Sequence, residues 1–278
     1  MPGVPAGDVQ LVALDIDGTI LDHGAQLSDR VRDVVRAVAD SGRHVVLATG
    51  RDIAGTLPVL RLLGLAHGWT VCCNGAVLLR LDASLPEGFA VERATTFDPR
   101  PALELLREHL PDALYAMELV DGGFAMTAAF PPGELTEGRS TIVPFEKLTG
   151  PTTRVVVRST ERPVDEFLAV IEKAGLQGVS YTVSWTSWLD INPRGVSKAG
   201  ALEEVRAQLG VDPGRTLAVG DWLNDLPMFA WAGWSVAMGQ ALPEVRAAAD
   251  EVTASVAEDG LALVLDRVLA GEPISSGR

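Results

Sequence analysis

Cysteine is almost absent from this sequence, and the two that occur, Cys72 and Cys73, are adjacent. Neighbouring cysteines bridge poorly to each other and match no zinc-binding spacing, so we expect two buried thiols in a reducing compartment. The four histidines are scattered, and no two lie four residues apart, where they could share a helix face and bind zinc. The sequence therefore predicts neither a disulfide framework nor a zinc site.

Long apolar runs are lacking as well. No stretch approaches the ~20 consecutive apolar residues that a membrane-spanning helix requires. The first ten residues contain neither the basic segment nor the apolar segment that a signal peptide combines. We therefore expect a soluble, cytoplasmic protein that does not act at a membrane.

Basic residues are outnumbered, since 23 Lys and Arg face 37 Asp and Glu and give a net charge of −14. Nucleic acids and anionic membranes are bound by basic surfaces, so neither is expected as a partner. A small phosphate remains compatible with this charge, because a local site can bind it with the help of a divalent cation.

The order of apolar segments predicts the fold. The chain has 278 residues, 47% of them hydrophobic, which is enough for two domains or for one domain with a large insertion. Strand and helix patterns alternate from Leu11 to Ala76, give way to several strand-like stretches from Val77, and return at Asp190. We predict an α/β protein whose doubly wound parallel-sheet core comprises residues 1–80 and 189–278, with a smaller α/β domain inserted at residues 81–188.

Polar side chains follow the predicted parallel strands of the core. They are Asp15 and Asp17 after the first strand, Thr49 after the second, Asn74 after the third, and Asp221 and Asp225 after the strand that follows the insertion. The carboxyl ends of parallel strands meet at one edge of the sheet, so these side chains should converge. Clustered acids repel each other, and a divalent cation such as Mg²⁺ would remove that repulsion. Each segment taken alone is also compatible with an ordinary turn or helix cap.

Lys198 occupies an unusual position for a cation. Ser197 is the expected N-cap of the next helix, so Lys198 falls in its first turn, where the helix dipole opposes a positive charge by roughly 0.3–1 kcal/mol. Either Lys198 is a solvated surface residue or it points at a bound anion. Thr49 has a similar pair of interpretations: it is an N-cap, or it donates its hydroxyl and N–H to a phosphate.

Four segments in a fixed order carry a family resemblance. They are DIDGT at 15–19, TGR at 49–51, GVSK at 195–198 and GDWLND at 220–225. This set resembles the haloacid dehalogenase (HAD) superfamily of phosphotransferases. The long insertion, preceded by NGA at 74–76, is similar to the cap domain of the Cof-like sugar-phosphatase branch. The resemblance implies a Rossmann-like HAD core with an inserted α/β cap.

The resemblance also implies roles for individual residues. Asp15 would be the nucleophile that forms an aspartyl-phosphate, and Asp17 the general acid and then the general base. The residues that would contact the phosphate are Thr49, Gly50, Asn74, Lys198 and Asn224. The residues that would bind Mg²⁺ or orient its waters are Asp15, Asp17 (through its backbone carbonyl), Asp221 and Asp225.

The function expected from this resemblance is a Mg²⁺-dependent phosphatase that acts on a small phosphorylated metabolite, with sugar phosphates as the leading class. The acid at Asp17 fits phosphatases and phosphomutases, whereas dehalogenating members do not need an acid at this position. A phosphomutase and a catalytically idle, metabolite-binding member remain as alternatives, and a monomer or small homo-oligomer is expected. Arg51 and Arg194 are candidates for contact with an anionic substrate, and each is equally compatible with a surface role. Trp222 is a candidate for lining the entrance of the site, but a core role is favoured for it.

Overall fold

The computed structural model describes residues 9–119, 122–135, 140–184 and 186–272. The prediction that no signal peptide is present depends mainly on residues 1–8, and these residues lie outside the described part of the chain. The contacts divide the chain into two units. The first comprises Met1–Gly50, Thr56–Glu92 and Ser197–Arg278, and the second comprises Arg51–Gly55 and Arg93–Val196.

The strands and helices are numbered along the chain. The strands are β1 (Leu11–Leu14), β2 (His44–Ala48), β3 (His67–Cys72), β4 (Val77–Asp82), β5 (Phe89–Ala94), β6 (Leu114–Glu118), β7 (Phe124–Met126), β8 (Ser140–Ile142), β9 (Val155–Arg158), β10 (Val179–Ser184), β11 (Trp188–Pro193), β12 (Thr216–Gly220), β13 (Trp234–Ala237) and β14 (Glu251–Val252). The helices are α1 (Asp29–Asp40), α2 (Ile53–Leu63), α3 (Arg100–His109), α4 (Val164–Ala174), α5 (Lys198–Leu209), α6 (Leu226–Trp231), α7 (Pro243–Ala248) and α8 (Gly260–Ala270).

The first unit is built on an eight-stranded sheet in the order β14-β13-β12-β1-β2-β3-β4-β5. The six strands from β14 to β3 pair in parallel, and β4 pairs antiparallel with β3. This arrangement confirms the predicted α/β fold with a doubly wound parallel-sheet core. The strand β1 lies inside the sheet, between β12 and β2, so its carboxyl end lies beside the carboxyl ends of both neighbours.

Burial on both faces explains why β1 is apolar without alternation. Leu11 and Ala13 belong to an apolar cluster that includes residues of α5 and α6. Val12 and Leu14 belong to the cluster on the other face, which includes residues of α1 and α8. A parallel strand with helices on both sides needs apolar side chains at every position.

The sequence from Ser28 to Asp40 predicts a helix, with Ser28 as its N-cap and valines at helical spacing, and α1 forms there. The hydroxyl of Ser28 accepts a hydrogen bond from the N–H of Val31 at 3.0 Å, so Ser28 is its N-cap. The four valines spaced along one face of this helix are all buried. Capping and periodicity thus agree, and α1 covers one face of the large sheet.

The second unit contains a six-stranded sheet in the order β10-β11-β9-β6-β7-β8. All of its pairs are antiparallel except β7 with β8. The helices α3 and α4 contribute buried residues to the apolar cluster of this unit. The expectation of a second, partly antiparallel α/β lobe matches this sheet.

The junctions between the two units lie later in the chain than the predicted bounds at 81 and 188. The large sheet continues through β4 into β5, and the division falls after Glu92. At the other end, β11 pairs with β9 and β10 in the smaller sheet, and the division falls after Val196. Strand pairing, which the apolar pattern did not reveal, places β4 and β5 in the large sheet and β11 in the smaller one. Among the described residues, no helix is both long enough and apolar enough to cross a membrane.

Candidate active site

Two acidic residues continue the central strands of the large sheet. Asp15 follows the last residue of β1, and its N–H donates to the carbonyl of Val219 at 3.0 Å, which extends the ladder with β12. Asp221 follows the last residue of β12. Both side chains are buried, with 5% of each residue exposed. The predicted convergence of acids at the carboxyl edge of the sheet is therefore present for this pair.

Lys198 connects these acids to a third. Its Nζ lies 2.5 Å from Oδ1 of Asp15 and 2.6 Å from Oδ1 of Asp225. The lysine side chain and the Asp225 side chain are inaccessible to solvent. The interpretation of Lys198 as a solvated surface residue is therefore wrong. A buried charge requires partners of opposite sign, and here the two carboxylates provide them.

The position of Lys198 follows from the start of α5. The hydroxyl of Ser197 accepts from the N–H of Gly200 at 3.2 Å, so Ser197 is the N-cap and Lys198 the first helical residue. The helix dipole opposes a cation there, and the pairing with two buried acids offsets that cost.

Asp225 uses both of its carboxylate oxygens. Oδ1 accepts from Lys198, while Oδ2 accepts from the N–H groups of Asp221 and Trp222 at 2.9 and 3.0 Å. Asp225 therefore fixes the lysine and the loop that carries Asp221 at the same time. Trp222 takes part through its backbone and is half-buried.

Asp221 has a different environment at each oxygen. Its Oδ2 lies against Gly18, whose φ is +81° and on which a Cβ would come within 2.0 Å of that oxygen. Its Oδ1 is buried and has no hydrogen-bond partner among the described residues. One oxygen of Asp221 is thus confined by the Gly18 turn, and the other is available to a ligand.

The donor set fits a divalent cation. Carboxylate oxygens of Asp15, Asp221 and Asp225 all lie within 4.8 Å of one another. Hard oxygen ligands of this kind suit Mg²⁺, and the unpartnered Oδ1 of Asp221 is the kind of buried atom that a cation satisfies.

Electrostatics in the cluster favour the binding of a cation. Burial raises the pKa of Asp15 well above its usual range, the nearby Lys198 opposes the shift, and the charges of Asp225 and Asp221 add to it. Burial, followed by the charge of Asp225, raises the pKa of Asp221 to about 7. Burial lowers the pKa of Lys198, but Asp15 and Asp225 more than offset this and leave it above its ordinary value. The lysine therefore stays charged, whereas burial and mutual repulsion disfavour the ionised forms of Asp15 and Asp221, a cost that a bound cation would remove.

Asp17 lies outside this buried cluster. Its residue is exposed to solvent, two positions after Asp15. The N–H of Gly18 donates to the carbonyl of Leu21 at 2.8 Å and closes the turn. Asp17 is therefore exposed to solvent, while the next residue of the same turn, Gly18, lies against Asp221.

A second group of predicted residues forms around Thr49 and Asn74. The N–H of Asn74 donates to the carbonyl of Thr49 at 2.9 Å, and Oδ1 of Asn74 accepts from Nδ2 of Asn224 at 3.0 Å. Gly50 is adjacent, since a Cβ on it would lie 3.2 Å from the same Oδ1. These contacts connect the ends of β2 and β3 to the loop that follows β12.

Two expectations for Thr49 are corrected. Its N–H donates to the carbonyl of Val71 at 2.9 Å, so this group belongs to the sheet ladder and is not a phosphate donor. Thr49 is also not a helix N-cap, because α2 begins at Ile53 and Asp52 accepts from the N–H of Gly55 at 2.9 Å. Donation of a hydrogen bond from the Thr49 hydroxyl to a phosphate stays a prediction.

The NGA segment at 74–76 contains a tight turn at Asn74 and Gly75. Asn74 has φ +54° and Gly75 has φ +101°. A Cβ on Gly75 would lie 2.1 Å from the carbonyl oxygen of Ser197. The absence of a side chain at Gly75 thus lets this turn reach the start of α5, where Lys198 begins the helix.

The candidate substrate contacts Arg51 and Arg194 both belong to the second unit. Arg51 donates to the carbonyl of Gly55 at 3.2 Å, and Arg194 is exposed. Substrate contact by either residue stays a prediction.

Gln240 is a residue of this region that the sequence reasoning did not identify. Its Nε2 donates to the carbonyl of Gly18 at 2.6 Å and lies 3.4 Å from Oδ2 of Asp221. Its Oε1 accepts from the N–H of Val256 at 2.9 Å. Its position in the sequence could have indicated it, because Gln240 is the first residue with a polar side chain after β13, the strand next to β12.

Comparisons with known proteins show the family of this chain. The sequence profile of the haloacid dehalogenase-like hydrolases matches residues 12–265. YkrA of Bacillus subtilis, which carries a provisional phosphatase name, is 30% identical, with 92% of this chain and 96% of that protein covered. The 5-amino-6-(5-phospho-D-ribitylamino)uracil phosphatase YcsE of Bacillus subtilis is 26% identical, with 92% and 94% covered.

A solved structure of similar fold is that of BT1666 from Bacteroides thetaiotaomicron, described as one of the phosphatases of the HAD superfamily. It is 28% identical and has a TM-score of 0.73, with 94% of this chain and 95% of that chain covered. The match of a family profile over most of the chain, with phosphatases among its relatives, establishes that this protein belongs to the haloacid dehalogenase-like hydrolases and is a phosphoric monoester hydrolase.

Proposed function

We propose that this hydrolase is a Mg²⁺-dependent phosphatase that cleaves small phosphomonoesters through an aspartyl-phosphate on Asp15. The observation that carries the proposal is the buried ammonium of Lys198 between Asp15 and Asp225, next to an Asp221 oxygen without a hydrogen-bond partner among the described residues. A buried group of one cation and three acids gains little stability from its charges, so a catalytic role accounts for it better than a structural one.

The residues that would hold Mg²⁺ are Asp15 and Asp221 through their carboxylates and Asp17 through its backbone carbonyl, with Asp225 next to them. When bound, the cation supplies positive charge that offsets both the acids and the phosphoryl oxygens. Lys198 adds a second positive charge from the protein itself. Two anions would otherwise repel each other, so this neutralisation lets a carboxylate approach a phosphate.

In the first step, a carboxylate oxygen of Asp15 forms a bond to phosphorus, and the bond between phosphorus and the ester oxygen breaks. Asp17 donates its proton to the departing oxygen, which leaves as an alcohol. The exposure of Asp17 supports this role, because the proton must reach a group on the substrate and later be exchanged.

In the second step, water attacks the phosphorus of the aspartyl-phosphate while the Asp17 carboxylate accepts its proton. The bond between phosphorus and Asp15 breaks, which releases inorganic phosphate and restores both acids. The hydroxyl of Thr49, Gly50, the paired side chains of Asn74 and Asn224, and Lys198 are the proposed phosphate contacts.

Sugar phosphates are the substrate class that we propose first. The support is the resemblance of the four segments and the insertion to the Cof-like branch, together with the name of YcsE, whose substrate carries its phosphate on a ribityl chain. A polyol or sugar hydroxyl is a poor leaving group without a proton, which agrees with an acid at position 17.

The decisive experiment measures phosphate release from p-nitrophenyl phosphate and from a panel of sugar phosphates, with and without Mg²⁺. We expect release that depends on Mg²⁺ and is abolished in Asp15→Asn. The matched control is Asp40→Asn, at an exposed residue of α1, which should retain full activity.

Phosphate release that persists in Asp15→Asn would contradict the proposed nucleophile. Transfer to a second substrate hydroxyl with little free phosphate, dependent on a bisphosphate activator, would favour a phosphomutase instead. Binding of metabolites without any release would favour the catalytically idle alternative.

A further inference from the structure

We infer that Gln240 is a positioning residue that orients Asp221 and the Gly18 turn so that Oδ1 of Asp221 faces the cation. The inference rests on the metal site of the proposed function and adds a residue that lies outside the four motif segments. It concerns the carboxamide of Gln240, which contacts two parts of the site at once.

The backbone around Gln240 is anchored independently of its side chain. The N–H of Met238 donates to the carbonyl of Gly220 at 2.9 Å, which holds the end of β13 beside the end of β12. The N–H of Gly239 donates to the carbonyl of Ala254 at 3.0 Å. Gln240 therefore extends from a fixed loop that lies next to the loop carrying Asp221.

The partners of the carboxamide determine its orientation. The nitrogen faces two acceptors, the carbonyl of Gly18 and Oδ2 of Asp221, while the oxygen faces a donor, the N–H of Val256. Rotation of the amide by half a turn would place oxygen against oxygen and nitrogen against nitrogen. A side chain with a donor at one atom and an acceptor at the other is needed to make all three contacts.

These contacts distinguish the two oxygens of Asp221. The Oδ2 atom lies between the Gln240 amide and Gly18, where no Cβ could be accommodated. The Oδ1 atom is buried and has no hydrogen-bond partner in the described part of the chain. Gln240 thus holds one oxygen and leaves the other for a ligand, as outer hydrogen bonds do for metal-binding side chains.

The same amide fixes the turn that carries Asp17. Its 2.6 Å contact with the Gly18 carbonyl is the shortest hydrogen bond that Gln240 makes. The carbonyl of Asp17, which the proposed function assigns to the cation, belongs to the peptide unit directly before Gly18. Loss of the amide should therefore loosen two of the proposed ligands together.

The test compares the wild-type protein with Gln240→Met, which keeps the length of the side chain and removes its hydrogen bonds. Titration calorimetry with Mg²⁺ alone measures affinity without any substrate. We expect affinity for Mg²⁺ to fall by about tenfold or more, in the range known for outer contacts of metal ligands. The Mg²⁺ concentration for half-maximal activity with p-nitrophenyl phosphate should rise by the same factor.

At saturating Mg²⁺ we expect kcat and the KM for substrate to stay within about twofold of wild type, because the bound cation would itself hold Asp221 and the backbone carbonyl of Asp17 in place. A purely structural role would lower kcat at all Mg²⁺ concentrations instead. The control is Gln208→Met, at an exposed glutamine on α5, which should leave both constants unchanged.

A second variant covers the case in which Gln240→Met does not fold. Gln240→Asn keeps the carboxamide but shortens the side chain by one methylene, so it cannot span Gly18 and Val256, and its affinity for Mg²⁺ should fall in the same direction. Wild-type affinity for Mg²⁺ in either folded variant would overturn the inference.

Failure of the inference and failure of the proposed function give different results. If the wild type binds Mg²⁺ but releases no phosphate, the proposed function falls, while a weaker Mg²⁺ affinity in Gln240→Met still supports the role of Gln240. If the wild type does not bind Mg²⁺ at all, both are overturned.

Discussion

Lys198 begins a helix and yet lies fully buried 2.5 Å from Asp15, a residue 183 positions earlier in the chain. Two separate strand-loop segments, one after β1 and one after β12, provide the carboxylates that surround this ammonium. The contact joins two segments that the insertion separates in sequence, because Asp15 precedes the insertion and α5 follows it.

Removal of the ammonium tests the importance of this contact. We expect Lys198→Met to lose activity and about 3–5 kcal/mol of unfolding free energy, because Asp15 and Asp225 are left buried without a cation. Urea denaturation of the protein without metal measures the loss. Lys173→Met, at an exposed position of α4, is the control and should change stability by less than about 0.5 kcal/mol.

The addition of Asp15→Asn to Lys198→Met should recover part of the lost stability, because one of the two unpaired carboxylates is then neutral. A Lys198→Met protein as stable as wild type would show that the buried carboxylates of Asp15 and Asp225 do not depend on the ammonium.

The Gly18 turn gives a prediction with an internal control. Gly18→Ala should abolish Mg²⁺ binding and reduce activity at least about a hundredfold, because its Cβ would overlap Oδ2 of Asp221 at 2.0 Å. Gly42 has a similar φ, +88°, but nothing lies within 4 Å of a Cβ placed on it. Gly42→Ala should therefore cost about 1–2 kcal/mol of stability for its backbone conformation and leave activity unchanged. Phosphate-release assays together with thermal melts separate the two effects, and equal activities would refute the steric argument.

The pKa of Asp221 predicts how stability changes with pH in the absence of metal. Its pKa in the folded protein is about 7, above the ordinary value of 3.8. The folded state therefore binds the proton more tightly than the unfolded state, and this contribution to stability is present below the ordinary pKa and lost as the pH rises through about 7.

The measurement is the difference in unfolding free energy between wild type and Asp221→Asn, taken in EDTA at intervals from pH 5 to pH 8. We expect wild type to lose stability relative to the variant as the pH rises. Stabilisation of the wild type by Mg²⁺ should grow over the same interval, since protons compete with the cation. A difference that is flat or rises with pH would show that Asp221 titrates normally.

A buried ion pair of the second unit can be compared with an exposed ion pair of the first unit. Arg154 and Glu118 are 3.1 Å apart, and 6% of each side chain is exposed, whereas Arg80 and Glu92 are 2.6 Å apart with 40% and 37% exposed. We expect Arg154→Met to cost about 3–5 kcal/mol because Glu118 loses its charged partner in a buried site. Arg80→Met should cost less than about 1 kcal/mol. Urea denaturation of both variants measures the contrast, and similar losses would contradict the role of burial.

Local sequence determined much of the core. The bounds of β2, α2, α4 and α6 follow directly from apolar periodicity and turn residues, and the caps Ser28 and Ser197 lie where the sequence predicts them. These features depend on neighbours within a few positions, which a linear pattern records. Short elements such as β8, α7 and β14 have too few residues to establish a period, and the sequence reasoning did not find them.

The sequence also identified the acids, the Thr49 hydroxyl, Asn74 and Lys198 as candidates, because each follows a recognisable strand or begins a helix, whereas Asn224 was implied only by the family resemblance. Only the tertiary structure decided what each atom contacts: the burial of Lys198, the use of the Thr49 N–H in the ladder, the unpartnered Oδ1 of Asp221 and the two-sided contact of Gln240. Residue types and their order are properties of the chain. Which of two carboxylate oxygens is held and which is available depends on segments far apart in sequence, and that choice is made only when the strands pair.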